Sequence, residues 1–141
     1  MTASATGTSP ACSGGTNGTA IVTVTGGTNP YVYSWNTSPV QTTATVSNLS
    51  AGSYTVTITD SKGCTILNTT SISQPAVLTS AISKTDITCN NAANGTATVT
   101  ATGGTTPYSY SWNTSPVQTN ATATNLTVGT YTVNVIDSKG C

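Results

Sequence analysis

Arginine, glutamate and histidine are missing from this chain of 141 residues, and charge is carried only by Lys62, Lys84, Lys139, Asp60, Asp86 and Asp137. Each absence excludes something. A neutral surface without arginine cannot neutralise a run of phosphates, so a nucleic-acid partner is not expected. Without histidine or glutamate no familiar triad or carboxylate pair can be assembled, so no enzyme activity is expected. Zinc needs soft ligands at close spacing, and the four cysteines form no C-x-x-C pair. Calcium needs about six oxygens, which one aspartate in each turn supplies poorly. No metal or other cofactor is therefore expected. No apolar run reaches the length of a membrane span, so no membrane insertion is expected. The opening MTASATGTSP lacks the basic and apolar regions of a signal peptide, so an exported form implies a fragment or a signal already removed.

What is present is a repeat. The stretch from Pro30 to Cys64 recurs as Pro107 to Cys141, and Cys12, Trp35, Tyr54 and Cys64 recur as Cys89, Trp112, Tyr131 and Cys141, each 77 positions on. A fixed period of this size must be read before any local motif. It divides the chain into residues 1–74 and 75–141, with Gln74-Pro75 as a short stiff linker. Threonine makes up roughly a quarter of the residues and, with Val, Ile and Tyr, suits pleated half-buried strands.

The alternation places the strands. Residues 1–11 form a weak first strand. In the next, Ala20, Val22 and Val24 share a face, and their counterparts Ala97, Val99 and Ala101 stay apolar while Ile21 becomes Thr98. Gly26-Gly27-Thr28-Asn29-Pro30 turns the chain. Tyr31, Tyr33 and Trp35 then share a face, and 36–42 returns along a sheet edge where proline does little harm. A strand over 43–49 leads to Leu49-x-x-Gly52-x-Tyr54, repeated as Leu126-x-x-Gly129-x-Tyr131. A tyrosine just past such a corner, bonding back to the backbone, marks Greek-key sandwiches. Tyr54, Val56 and Ile58 point inward in the following strand, Asp60 to Gly63 make a hairpin turn, and a last strand runs from Cys64 to about Ser73.

The expected fold is all-β: two tandem immunoglobulin-like Greek-key β-sandwich repeats. The second lacks its last strand, because the chain stops 13 residues short of two full periods, the stretch matching Thr65–Val77. The core anchors expected are Tyr31, Trp35, Tyr54, Tyr108, Trp112 and Tyr131. An open edge beside Tyr131–Asp137 follows, either because the chain is cut from a longer array or because a neighbour donates the strand.

The pattern C…NGTA-x-V…GG-x-x-PY-x-Y-x-W…L-x-x-G-x-Y-x-V…D-S-K-G-C resembles the SprB-type repeat of very large surface adhesins of gliding bacteria and related secreted proteins. The resemblance rests on Cys12, Gly26, Gly27, Pro30, Tyr31, Trp35, Gly52, Tyr54, Asp60, Gly63 and Cys64 and their counterparts in the second copy. It implies an immunoglobulin-like sandwich, export to the cell surface and tandem arrays forming long fibres. These are fold positions, and the resemblance supplies no ligand.

Four cysteines in so polar a chain read as disulfides in an oxidising, extracellular setting. Cys12 precedes its strand and Cys64 follows another that runs the same way in a Greek-key sandwich. Their sulfurs then lie at opposite ends, separated by roughly 20–25 Å, whereas a disulfide needs Cα atoms within about 7 Å. Stacking two domains end to end brings Cys12 towards Cys141, so that pair is the expected bridge, with Cys64 and Cys89 left for previous and next repeats.

Eight N-x-[ST] triplets, at Asn17, Asn36, Asn48, Asn68, Asn94, Asn113, Asn120 and Asn125, license glycosylation only in a host with the machinery. The aromatic strand could stack on sugar, but the fold buries an aromatic there. Thr-x-Thr rows such as Thr55-x-Thr57-x-Thr59 look like ice-binding faces, yet a sandwich strand is twisted and such rows are ordinary outward faces. The function expected is that of a structural repeat in an extracellular filament or adhesin stalk, supporting surface adhesion or gliding motility. The partners would be neighbouring repeats, identical subunits in a fibre, or a surface polysaccharide. The alternative is a carbohydrate- or protein-binding module acting through exposed loops.

Overall fold

The computed structural model describes residues 1–141, which divide into two compact units, Met1–Pro75 and Ala76–Cys141. Both are all-β, with antiparallel pairing throughout, and together they form tandem β-sandwich repeats. Unit 1 contains β1 (Thr2–Thr8), β2 (Gly18–Thr25), β3 (Val32–Trp35), β4 (Thr45–Leu49), β5 (Gly52–Thr59) and β6 (Thr65–Ile72). One sheet has the order β1-β2-β4 and the other β3-β5-β6.

Alternation along each strand decides what lies inside. Ala20 and Val22 of β2 and Val56 and Ile58 of β5 are buried, while Ile21 between them is 46% exposed. Trp35, Val46, Leu49 and Ile72 complete the core, and Tyr31, Tyr33 and Tyr54 pack on its margin. Cross-strand hydroxyl pairs line the outer faces, such as Thr55 with Thr69 at 2.9 Å and Thr8 with Thr19 at 2.5 Å. Such pairs contribute a few tenths of a kcal/mol, up to about 1 kcal/mol each. That is how a chain with so little charge keeps its surface polar without weakening its ladders.

The edge return expected over 36–42 is not a ladder. A side chain substitutes for one: Gln41 accepts from the Ser47 N–H at 3.1 Å and donates to the Ser47 carbonyl at 3.0 Å. Its backbone carbonyl takes the Trp35 N–H at 3.0 Å. The β4 strand leaves regular register at Asn48, whose φ of 59° is left-handed. Asparagine is one of the few residues that tolerates this, through its short polar side chain.

Unit 2 contains β7 (Thr79–Thr85), β8 (Gly95–Thr102), β9 (Ser109–Trp112), β10 (Thr122–Leu126) and β11 (Val133–Ile136). Its sheets are β10-β8-β7 and β11-β9. Ala97, Val99, Trp112, Ala123 and Leu126 are its core, with Tyr110, Tyr131, Val133 and Val135 packed against it. There is no counterpart of β6. The consequence is visible in the neighbouring strand, because β5 has eight residues and β11 only four. The segment Gly52–Thr55 is held extended by pairing to β6, from Gly52↔Ile72 to Thr55↔Thr69. Its counterpart at 129–132 has no such ladder and is not strand.

Candidate functional site

The best-organised polar feature in each unit is an aspartate turned inward. Asp60 is buried, and its Oδ1 accepts the N–H groups of Lys62 and Cys64, both at 2.9 Å. Its Oδ2 accepts the N–H of Thr28 at 3.1 Å, so one carboxylate holds the 60–64 turn and reaches back to the glycine turn before β3. Asp137 does the same with Lys139, Cys141 and Thr105, at 2.8, 3.0 and 2.7 Å. A carboxylate can approach that turn only because glycine lies there. An added Cβ on Gly104 would sit 2.7 Å from Asp137 Oδ2, and Gly27 and Gly104 adopt φ of 80° and 60°.

These bonds stabilise the ionised form. The Cys64 N–H is the largest influence lowering the Asp60 pKa, burial opposes it, and the Thr28 and Lys62 amides add to the lowering. Asp137 is lowered first by the Cys141 amide, again against burial. The sequence shows the turn aspartate but not its reach across 32 residues to Thr28. The paired Gly-Gly turn, kept in both copies, is the signal that could have disclosed it.

The aromatic residues hold the fold too. Trp35 and Trp112 are each 1% exposed, and their indole N–H groups donate to the carbonyls of Thr43 and Asn120 at 2.9 Å. The four tyrosines named as anchors are half-buried, and their hydroxyls are engaged. Tyr31 and Tyr108 donate to the carbonyls of Gly26 and Gly103 at 2.7 and 2.6 Å. Tyr54 and Tyr131 donate back to Ser50 and Thr127 at 3.0 and 3.2 Å, the corner bond read from the sequence. Each of these hydroxyls has its hydrogen committed to a structural bond. Several triplet asparagines are similarly occupied. Asn36 and Asn113 accept from Thr55 and Thr132 at 2.8 Å, and Asn68 donates to the Ala3 carbonyl at 2.8 Å.

Cys12 and Cys141 are disulfide-bonded. Cys64 and Cys89 are free and exposed. Within unit 1 the two cysteines stand at opposite ends of β2. Cys12 belongs to the loop that enters β2 at Gly18, where Gly14 N–H donates to Gln74. Cys64 belongs to the Asp60 turn, tied to Thr28 beyond the far end of that strand. No group of three or more His, Cys, Asp or Glu side chains comes together anywhere in the chain.

A groove of about 480 Å³ in unit 2 is lined by residues of β7, the start of β8 and the approach to β11, with Trp112 and Leu126 among them. It lies where β6 seals the core of unit 1.

The SprB repeat family matches residues 4–40 and again 81–117, just over half of the chain, at the same 77-residue interval as the internal repeat. The chain belongs to the SprB repeat family. Each match runs from within the first strand of its unit through the next two strands and into the loop after the tryptophan. The tyrosine corner and the aspartate turn lie outside the matched residues. No curated protein matches the chain.

Proposed function

We propose that these SprB repeats are structural repeats of an extracellular filament or adhesin stalk, supporting surface adhesion or gliding motility. The observation that carries this reading is the recurrence of the SprB match at one fixed interval, since stacked repeats build an extended array. The use of buried or oriented polar groups supports it: Asp60, Asp137, Trp35 and the corner tyrosines are all committed to holding the fold. We infer a non-catalytic role with no cofactor, partners that are neighbouring repeats, and an immunoglobulin-like strand arrangement, for which the orders β1-β2-β4 and β3-β5-β6 speak.

The bonded state of Cys12 and Cys141, with Cys64 and Cys89 free, supports the pairing of the first two and an oxidising location. The test is single-molecule extension of the chain held at its two ends. Oxidised, it should extend little, because a Cys12–Cys141 bridge shortens the loaded path to the few residues outside it. After reduction, two unfolding steps should appear at forces well above the entropic stretching of an unfolded chain. A non-reducing peptide map joining other cysteines would remove the bridge from the proposal. Reduced repeats that yield without resistance would remove the mechanical role.

A further inference from the structure

The strand at the edge of a sheet carries N–H and C=O groups that pair readily with another strand. Proteins usually blunt such an edge with lysine, an inward charge or proline. This chain has three lysines, and none lies on β4, whose five residues TVSNL include no charge and no proline. The same is true of β10, TATNL. Both strands end their sheets, β4 beside β2 and β10 beside β8.

Antiparallel pairing fixes which groups of β4 face outward. The Val22 N–H donates to the Ala44 carbonyl at 2.9 Å and Ala20 stands opposite Val46, so Ala44 and Val46 bond towards β2. The N–H and C=O groups of Thr45 and Ser47 therefore point away from the sheet. Three of these four are taken by side chains. The Gln41 carboxamide accepts the Ser47 N–H at 3.1 Å and donates to the Ser47 carbonyl at 3.0 Å, and Thr43 Oγ1 donates to the Thr45 carbonyl at 2.6 Å. A carboxamide offers the same donor and acceptor as a peptide group, so it stands in for the next strand. The backbone here is tied to the other sheet, since the Gln41 and Thr43 carbonyls accept the main-chain and indole N–H groups of Trp35 at 3.0 and 2.9 Å. Unit 2 repeats the device: Gln118 accepts the Thr124 N–H at 2.9 Å and donates to the Thr124 carbonyl at 3.0 Å. Asn68 treats the opposite edge of the first sheet alike, accepting the Ala5 N–H at 3.1 Å and donating to the Ala3 carbonyl at 2.8 Å.

We propose that Gln41 and Gln118 are edge guards, which keep β4 and β10 from pairing with the same strand of a second copy of this chain. The edge itself sets the partner. With two antiparallel strands centred on Val46, Thr45 of one copy faces Ser47 of the other, and each supplies the donor and acceptor the other needs. No charge on either strand opposes the approach. A chain with so few charged residues guards its edges with carboxamides instead, whatever larger structure it serves.

The experiment compares the intact chain with Gln41→Ala/Gln118→Ala and Gln41→Glu/Gln118→Glu, with Cys64 and Cys89 alkylated. Sedimentation and amide exchange are read from micromolar to millimolar concentration. In the wild type the Ser47 amide should exchange more slowly than that of Thr45, the one outward group of the four without a side-chain partner, at every concentration. In the dilute alanine pair, Ser47 and Thr124 should exchange roughly fivefold faster or more. At high concentration that pair should dimerise and regain protection at these amides. The glutamate pair cannot donate to the carbonyls either, but it brings like charges together at the edge and should stay monomeric. Where alanine fails to fold, Gln41→Met/Gln118→Met keeps the bulk without the bonds and takes its place. A monomeric alanine or methionine pair, association that leaves Ser47 and Thr124 unprotected, or a glutamate pair that associates as strongly overturns the proposal. So does equal exchange of Ser47 and Thr45 in the wild type, which does not depend on any variant folding.

Discussion

Asp60 and Asp137 spend their negative charge on backbone amides, and this ties the stability of each repeat to pH. Their folded pKa values are lowered below the ordinary 3.8, chiefly by the Cys64 and Cys141 amides. A depressed carboxylate contributes stability that is fully present above the unfolded pKa, about 4, and is lost as pH falls through the folded value. Thermal melts should therefore be flat from neutral pH down to about 5 and fall below about 4. Asp60→Asn should lower the neutral-pH melting temperature of unit 1 and weaken its acid sensitivity. A variant with wild-type acid dependence would show that other groups govern it. The residue scale was also where the sequence was least legible. An aspartate before Ser-Lys-Gly reads as a turn residue, but nothing local says that its second oxygen is bonded to Thr28. Gln41, too, looks like loop filler until its amide is seen pairing with Ser47 as a strand would.

At the scale of elements, the alternating faces were legible, because a period of two states which side is buried and the second copy corrects the first. Ile21 against Thr98 marks the outer face, and Ile21 is indeed exposed. Strand lengths were not legible, since β11 is shortened by what does not stand beside it. This gives a direct comparison by hydrogen exchange. The amides of Tyr131, Val133 and Val135 should exchange faster than those of Tyr54, Val56 and Ile58, which face β6. Equal protection would mean that this edge is covered in solution. Packing at the β1–β6 contact offers a second comparison. Gly7→Ala should cost about 1–3 kcal/mol by forcing a methyl against Ile72. At the matching position Lys84→Ala should stay within about 0.5 kcal/mol. Denaturant unfolding of the two variants measures both, and a silent Gly7→Ala would mean that β1 and β6 separate easily.

Taken whole, the molecule is two copies of one solution that differ at their edges. The repeat was legible in the spacing, the all-β class in the alternation of apolar residues, and the SprB kinship in the motif residues that both copies keep. The groove could not, because its lining, from Ile82 to Tyr131, comes together only in the fold. The aspartate turn also bears on resistance to proteolysis. Proteases that cut after basic residues find only three such positions in the chain. Two of them, Lys62 and Lys139, have their own N–H fastened to the carboxylate two residues earlier, at 2.9 and 2.8 Å. The third, Lys84, is in the β7 ladder. A protease must draw its target into an extended strand, and a turn held at three amides resists that pull. Scarcity of charge and the tying of the turn together make a polypeptide that trypsin-like enzymes find hard to open.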